Sequence, residues 1–273
     1  DSKVNLGRIK LDSPVLGTAG CVMHGHEMAK YMDIARIGAF STKTITLQAR
    51  NGNPPPRIIE TPSGFLNAGG LQNPGAEVFF REEWPKIKST LRSDQIIISI
   101  AAHNAVEYGR LAEKVAEMCD VNEIAALEIN GACPNVEKGG FISSSVSYAV
   151  EVLELVKKVV NFPIILKMNV CFDNYTEVAK AAEQSGIDAL YTTFGVMGTV
   201  IDTKRKKCIL GNKAGGIVGP ASRPGGVFRV WNLYEAIHIP IIASGGIYDT
   251  DDALQYMLAG ASAVGIGSAV YQD

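Results

Sequence analysis

Gly186-Ile187-Asp188-Ala189-Leu190 ends an amphipathic stretch with glycine and runs straight into a small-residue apolar strand. The chain does the same at Gly38-Ala39-Phe40-Ser41-Thr42 and at Gly260-Ala261-Ser262-Ala263-Val264. Glycine suits a helix C-cap because it adopts the left-handed conformation without a Cβ clash, so the chain can reverse at once. Twice more a proline introduces the strand, in Phe162-Pro163-Ile164-Ile165-Leu166-Lys167 and Ile239-Pro240-Ile241-Ile242-Ala243. Pro14 to Thr18, Gln95 to Ala101 and Ala125 to Asn130 bring the apolar runs to eight. They are too continuous for a one-sided sheet, and amphipathic stretches such as Ala105 to Cys119 and Ser147 to Val160 separate most of them. Continuous apolar strands alternating with helices describe a parallel sheet covered on its outer face. Eight of them fit a closed (β/α)8 TIM barrel, whose usual length is about 250 residues. The reading is therefore one barrel domain over residues 1–273, with a doubly wound open sheet as the alternative. After the eighth run the chain stops at Asp273 with no room for a closing helix, so the last helix is expected to be missing; with no Met at position 1, the N-terminus is expected to lie further upstream.

The composition narrows the function classes. A formal charge of −2 with no block of Lys or Arg offers no electrostatic footprint for nucleic acid or an anionic membrane, so a small molecule or another protein is the expected partner. The five cysteines, at 21, 119, 133, 171 and 208, are odd in number and lack CxxC spacing, which argues for a reducing compartment. With neither a run of eighteen apolar residues nor a signal peptide, a cytoplasmic location is expected.

In a TIM barrel the functional residues sit at the C-terminal ends of the strands. Lys43 follows strand two, Asn130 and Cys133 follow strand four, Lys167 ends strand five and Thr192-Thr193 end strand six. Gly245-Gly246 and Gly265-Ile266-Gly267-Ser268 end strands seven and eight, where barrels cradle phosphate on backbone N–H groups; ordinary tight turns are the alternative. A lysine ending an apolar strand needs an anion. Lys43 and Lys167 could flank a cofactor that becomes anionic, or one could form a Schiff base; each alone could equally snorkel to solvent.

Cys133 lies in Ile129-Asn130-Gly131-Ala132-Cys133-Pro134-Asn135, an ionisable sulfur between two amide side chains. That arrangement suits a base removing a carbon-bound proton while the amides grip a ring of alternating N–H and C=O groups. A packing cysteine beside a turn-forming Pro-Asn pair is the alternative. The segment of about 48–75 reads as an insertion covering the active site, stiffened by Asn53-Pro54-Pro55-Pro56-Arg57 and tuned by glycine from Gly64 to Gly75.

Here the resemblance becomes specific. Lys43-Thr44-Ile45-Thr46, the run Asn53 to Arg57, Leu66-Asn67, Gly70-Leu71-Gln72-Asn73-Pro74-Gly75 and Asn130 to Asn135 closely resemble the class 1 dihydroorotate dehydrogenase family, above all its NAD-linked 1B branch. The match continues through Gly215-Gly216, Gly219-Pro220-Ala221, Gly245-Gly246-Ile247 and Gly260 to Val264, essentially the whole chain.

The resemblance implies an FMN-dependent enzyme oxidising dihydroorotate to orotate in pyrimidine biosynthesis. It implies that Ala19, Gly20, Lys43, Thr44, Asn130, Lys167, Gly216, Gly245, Gly246, Gly267 and Ser268 hold FMN. Lys43, Asn67, Asn130, Asn135 and the backbone near Gly70 and Leu71 would hold the substrate. Cys133 would take the C5 proton as hydride leaves C6, with Lys43 in the catalytic set and Lys167 stabilising the charge that reduction deposits. The 1B branch also implies a homodimer and an FAD/iron-sulfur electron-transfer subunit, for which this chain has neither a dinucleotide fingerprint nor cluster-type cysteine spacing of its own.

Two departures matter. Phe194-Gly195 stands where the family carries Asn followed by Thr or Ser, and Asn169-Val170-Cys171 replaces the usual Ser-Pro-Asn after Lys167. Losing an amide partner shifts substrate preference strongly. The alternatives are therefore an FMN enzyme acting on another dihydropyrimidine or cyclic amide, and a flavin-binding subunit without turnover. Cys21, His24, His26 and Glu27 are close enough in sequence for a metal, but without a partner cluster they read as a polar loop at the mouth, and no metal is expected.

Overall fold

The structure, a computed structural model, describes residues 2–132 and 141–271. Eight parallel strands close into a barrel: β1 (Val15–Gly17), β2 (Ala39–Ser41), β3 (Ile96–Ile100), β4 (Ala126–Asn130), β5 (Ile164–Asn169), β6 (Ala189–Thr193), β7 (Ile241–Ser244) and β8 (Ala263–Ile266). Each strand pairs with its neighbours in sequence, and β8 returns to β1, which rules out the open sheet. The expected helices lie at Ala105–Met118 and Val146–Lys157, started by Asn104 and Ser145, whose side chains accept from the backbone N–H groups of Glu107 and Tyr148.

The apolar material falls into two layers. Ile98, Leu127, Leu166 and Leu190 join Leu111, Val152 and Val178 in the shell between strands and helices. Leu16, Ile97, Ile165, Tyr191 and Ile242 form a second cluster with Leu6, Ile9 and Leu11 of the N-terminal hairpin Val4–Leu6/Ile9–Leu11. Alternation along each strand sends successive side chains to opposite faces, one outward to the helices and one into the barrel.

That hairpin, unforeseen in the sequence, plugs the barrel's bottom. Gly7 (φ +64°) makes its turn, and a Cβ there would sit 2.7 Å from the Asp188 carbonyl oxygen. The close approach lets Arg8 fork onto the Asp188 carboxylate, Nε to Oδ1 at 2.8 Å and Nη2 to Oδ2 at 2.9 Å, while Ile164 N–H donates to Oδ2 at 2.8 Å.

The long segment after β2 is more ordered than a stiff cover loop. It folds into the strands Ile58–Thr61 and Gly64–Asn67, which join Gly215–Val218 and Met197–Gly198 in a four-stranded antiparallel sheet over the mouth. Its register aligns Ile58, Asn67, Gly216 and Met197 in one row. Among the described residues no helix is long and apolar enough to cross a membrane.

Candidate active site

A cavity of about 600 Å³ opens at the C-terminal ends of the strands. It is lined from the barrel by Ala19, Gly20, Lys43, Thr44, Asn130 and Lys167, from the covering sheet by Asn67 and Gly216, and from the loop after Asn67 by Gly70 and Leu71. All ten of these were read from the sequence as ligand contacts. Cys133 and Asn135 lie outside the described residues. Gly245, Gly246, Gly267 and Ser268 do not line this cavity: Tyr256 donates to the Gly245 carbonyl at 2.8 Å, and the Ser268 hydroxyl bonds that of Tyr248 at 3.0 Å.

The cavity's charge is one-sided. Among the described residues Lys43, Arg57 and Lys167 reach it and no carboxylate does. Arg57 is committed to holding the cover, donating to the Asn51 carbonyl at 2.7 Å and to Gln72. Lys167 is only 5% exposed, its Nζ rests 4.6 Å from the centre of the Tyr191 ring, and among the described residues it meets no carboxylate. Lys167 therefore lies within β5 rather than at its exposed end, which removes the snorkelling alternative. Burial pushes the Lys43 ammonium below the ordinary lysine range, with Cys21 opposing that shift and Arg57 adding to it.

Two cysteines belong to this neighbourhood. Burial pushes the Cys21 thiol up, opposed chiefly by Lys167, and burial likewise raises Cys171 on the cavity wall. Both shifts lower the thiolate fraction of these side chains.

The chemistry of the cavity suits an anionic ligand. A buried ammonium without an anion is costly and asks for one from a ligand. Gly20 and Gly216 supply the clearance, since a Cβ built on either would meet no protein atom within 4 Å.

At the two departures from the family pattern, the side chains are engaged within the protein. Phe194 turns its ring out of the cavity and against Gly225, where a Cβ would meet it at 2.6 Å. Gly195 takes its place on the wall, clamped by Asn169, whose Nδ2 donates to the Gly195 carbonyl at 2.8 Å and whose Oδ1 accepts from Gly195 N–H at 3.2 Å. Thr193, Phe141, Phe172 and Met197 complete that side; sequence reasoning did not place the last three, which converge only through tertiary pairing.

The Cys21-to-Glu27 cluster divides. Cys21 faces the lysines, and His24 packs on Phe79 with ring centres 5.3 Å apart. His26 and Glu27 meet Glu83, a residue not singled out in the sequence, with donor atoms all within 4.8 Å; Lys86 already pairs with Glu83 at 2.9 Å.

The family model described as dihydroorotate dehydrogenase matches residues 2–273. This chain belongs to the dihydroorotate dehydrogenase family. Among its relatives, proteins named dihydroorotate dehydrogenase B (NAD(+)), catalytic subunit, are 40% identical in Desulforamulus reducens, over 97% of this chain and 86% of the relative. The corresponding figures are 42%, 97% and 85% in Desulforudis audaxviator, and 39%, 100% and 89% in Bacteroides thetaiotaomicron. Membership in the dihydroorotate dehydrogenase family agrees with the closed barrel and with a cavity at the C-terminal ends of its strands.

Proposed function

We propose that this protein oxidises dihydroorotate to orotate with FMN in the cavity, as the catalytic subunit of a larger assembly. The observation that carries the reading is Lys167, a buried ammonium facing an open cavity and met by no carboxylate among the described residues. Lys43, Thr44, Asn130 and Lys167 would hold FMN, with Ala19, Gly20 and Gly216 giving it room, and Gly245, Gly246, Gly267 and Ser268, which follow the ends of β7 and β8, would receive its phosphate. Bound FMN supplies the acceptor for the hydride leaving substrate C6.

The remaining work falls to this chain's side chains. Lys43 offers its ammonium to the substrate carboxylate, while Asn67, Asn130 and Asn135, whose amides both donate and accept, match the ring's N–H and C=O groups. The C5 proton is acidic because it lies beside a carbonyl, and the Cys133 thiolate removes it as the C5=C6 bond forms. Lys167 would balance the negative charge that a reduced cofactor carries. The relatives are named as catalytic subunits, which supports a separate partner subunit for electron transfer, and the family resemblance implies that this partner carries FAD and an iron-sulfur cluster. A cytoplasmic homodimer is the assembly the family resemblance implies.

A second reading rests on the wall at Gly195. With Phe194 turned outward and Asn169 engaged by backbone, no side-chain amide is free there among the described residues, which favours a dihydropyrimidine that needs less polar contact on that edge. Anaerobic mixing of the FMN-loaded protein with dihydroorotate separates the two. Bleaching of the yellow flavin absorbance supports dihydroorotate; bleaching by dihydrouracil but not by dihydroorotate selects the second reading, and bleaching by neither leaves a flavin-binding subunit without turnover.

A further inference from the structure

Inside the barrel, below the cavity, Glu128 is wholly buried in the middle of β4. Both of its carboxylate oxygens accept: Ser41 Oγ donates to Oε2 at 2.9 Å and Ser99 Oγ donates to Oε1 at 2.6 Å. A hydroxyl has one proton to give, and Ser99 has given its own to Glu128. At the 2.9 Å contact between Thr44 Oγ1 and Ser99 Oγ, Thr44 must therefore be the donor. Thr44, its proton spent, can only accept from Asn130, whose Nδ2 lies 2.9 Å away. The other end agrees independently, because Ala132 N–H donates to Asn130 Oδ1 at 3.2 Å. The amide orientation is thus fixed from both sides.

We infer that Ser99 and Glu128 are positioning residues. The Ser99 hydroxyl that donates to Glu128 at one end and the Ala132 N–H that donates to Asn130 Oδ1 at the other set the direction of the chain Asn130–Thr44–Ser99–Glu128, so that Asn130 presents its second N–H to the cavity as a fixed donor. The ligand must therefore offer an acceptor at that point, a ring carbonyl or an unprotonated ring nitrogen. Ser99 and Glu128 do not line the cavity, so they act through Asn130. The inference deepens the proposed function, since it rests on a polar ring being bound there, but the chain itself can be tested without one.

The test is a double-mutant cycle between Ser99→Ala and Asn130→Ala, which isolates coupling from independent effects. Two equilibrium constants are read: FMN binding to the apoprotein, by quenching of flavin fluorescence, and orotate binding to the FMN-loaded protein, by the shift in flavin absorbance. Loss of a buried hydrogen bond of ordinary strength predicts that Ser99→Ala weakens at least one constant about fivefold, that Ser99→Thr restores it, and that the double variant matches Asn130→Ala alone. Unchanged constants, or additive effects in the double variant, overturn the inference. Should Ser99→Ala fail to fold, Glu128→Gln takes its place in the same cycle; its amide can end the chain in either direction, so about threefold weakening, non-additive with Asn130→Ala, is expected. Absence of FMN uptake by the unaltered protein would refute the proposed function instead. The inference then stands or falls on the side-chain amide NMR signal of Asn130 in the apoprotein, assigned by its loss in Asn130→Ala. The signal is expected to move in Ser99→Ala and to return in Ser99→Thr; no movement overturns the inference.

Discussion

At the bottom of the barrel the Asp188 carboxylate is closed off by Arg8 and by the backbone N–H groups of Arg8 and Ile164, whereas at the mouth Lys167 is as deeply buried and meets no carboxylate among the described residues. Burial alone would raise the Asp188 carboxyl, but its hydrogen bonds with Arg8 and Ile164 outweigh burial and hold it below the usual range. The bottom satisfies itself and contributes stability; the mouth keeps a charge that no described carboxylate meets, and so gives up stability for binding. The two ends should therefore respond oppositely when their charge is removed.

The largest effect belongs to the mouth and is kinetic. Cys133→Ala is expected to slow flavin reduction by dihydroorotate by about 10²- to 10⁴-fold, the range for a positioned proton-transfer group, with FMN still bound; stopped-flow absorbance measures it. A variant reducing flavin at the unaltered rate would remove Cys133 from the chemistry. Next comes Lys167→Met, which keeps the volume and discards the charge. FMN affinity should fall about a hundredfold, as for a lost charge-assisted contact, while the apoprotein gains about 1 kcal/mol in denaturant unfolding.

The bottom should behave in the reverse sense. Asp188→Ala is expected to lower stability by about 2 kcal/mol, because it strands the Ile164 N–H and the Arg8 fork, with FMN affinity unchanged. A carboxyl held below its unfolded value stabilises the fold above about pH 4, and that contribution is lost as pH falls through the folded value. The stability gap between the natural protein and Asp188→Ala should thus narrow in acid. The smallest effect is expected from Gly216→Ala: its added methyl meets no protein atom, so thermal stability should hold while FMN binding weakens a few-fold.

What could be read from the sequence follows the same division. The eight barrel strands were legible because each reads as a continuous apolar run, three of them entered directly from a helix-ending Gly and two introduced by Pro. The sheet over the mouth was not, since it pairs Asn67 with Gly216 across the length of the chain and its short strands carry no sustained alternation. Lys43, Asn130 and Lys167 stood out as polar groups interrupting apolar runs. Glu128 gave the same signal, a charge within Ala126–Asn130, and was passed over because its partners Ser41 and Ser99 come from two other strands. The clamp of Asn169 on Gly195 had no signal at all, because its partner atoms are backbone.

The most direct test is a titration of FMN into the unaltered apoprotein and Lys167→Met, with the stability of both apoproteins measured alongside. The account predicts one FMN bound per chain, binding about a hundredfold weaker in Lys167→Met, and a more stable variant apoprotein. Equal affinity in the two, or a variant less stable than the original, would contradict the claim that the mouth holds an unpaired charge in readiness for its cofactor.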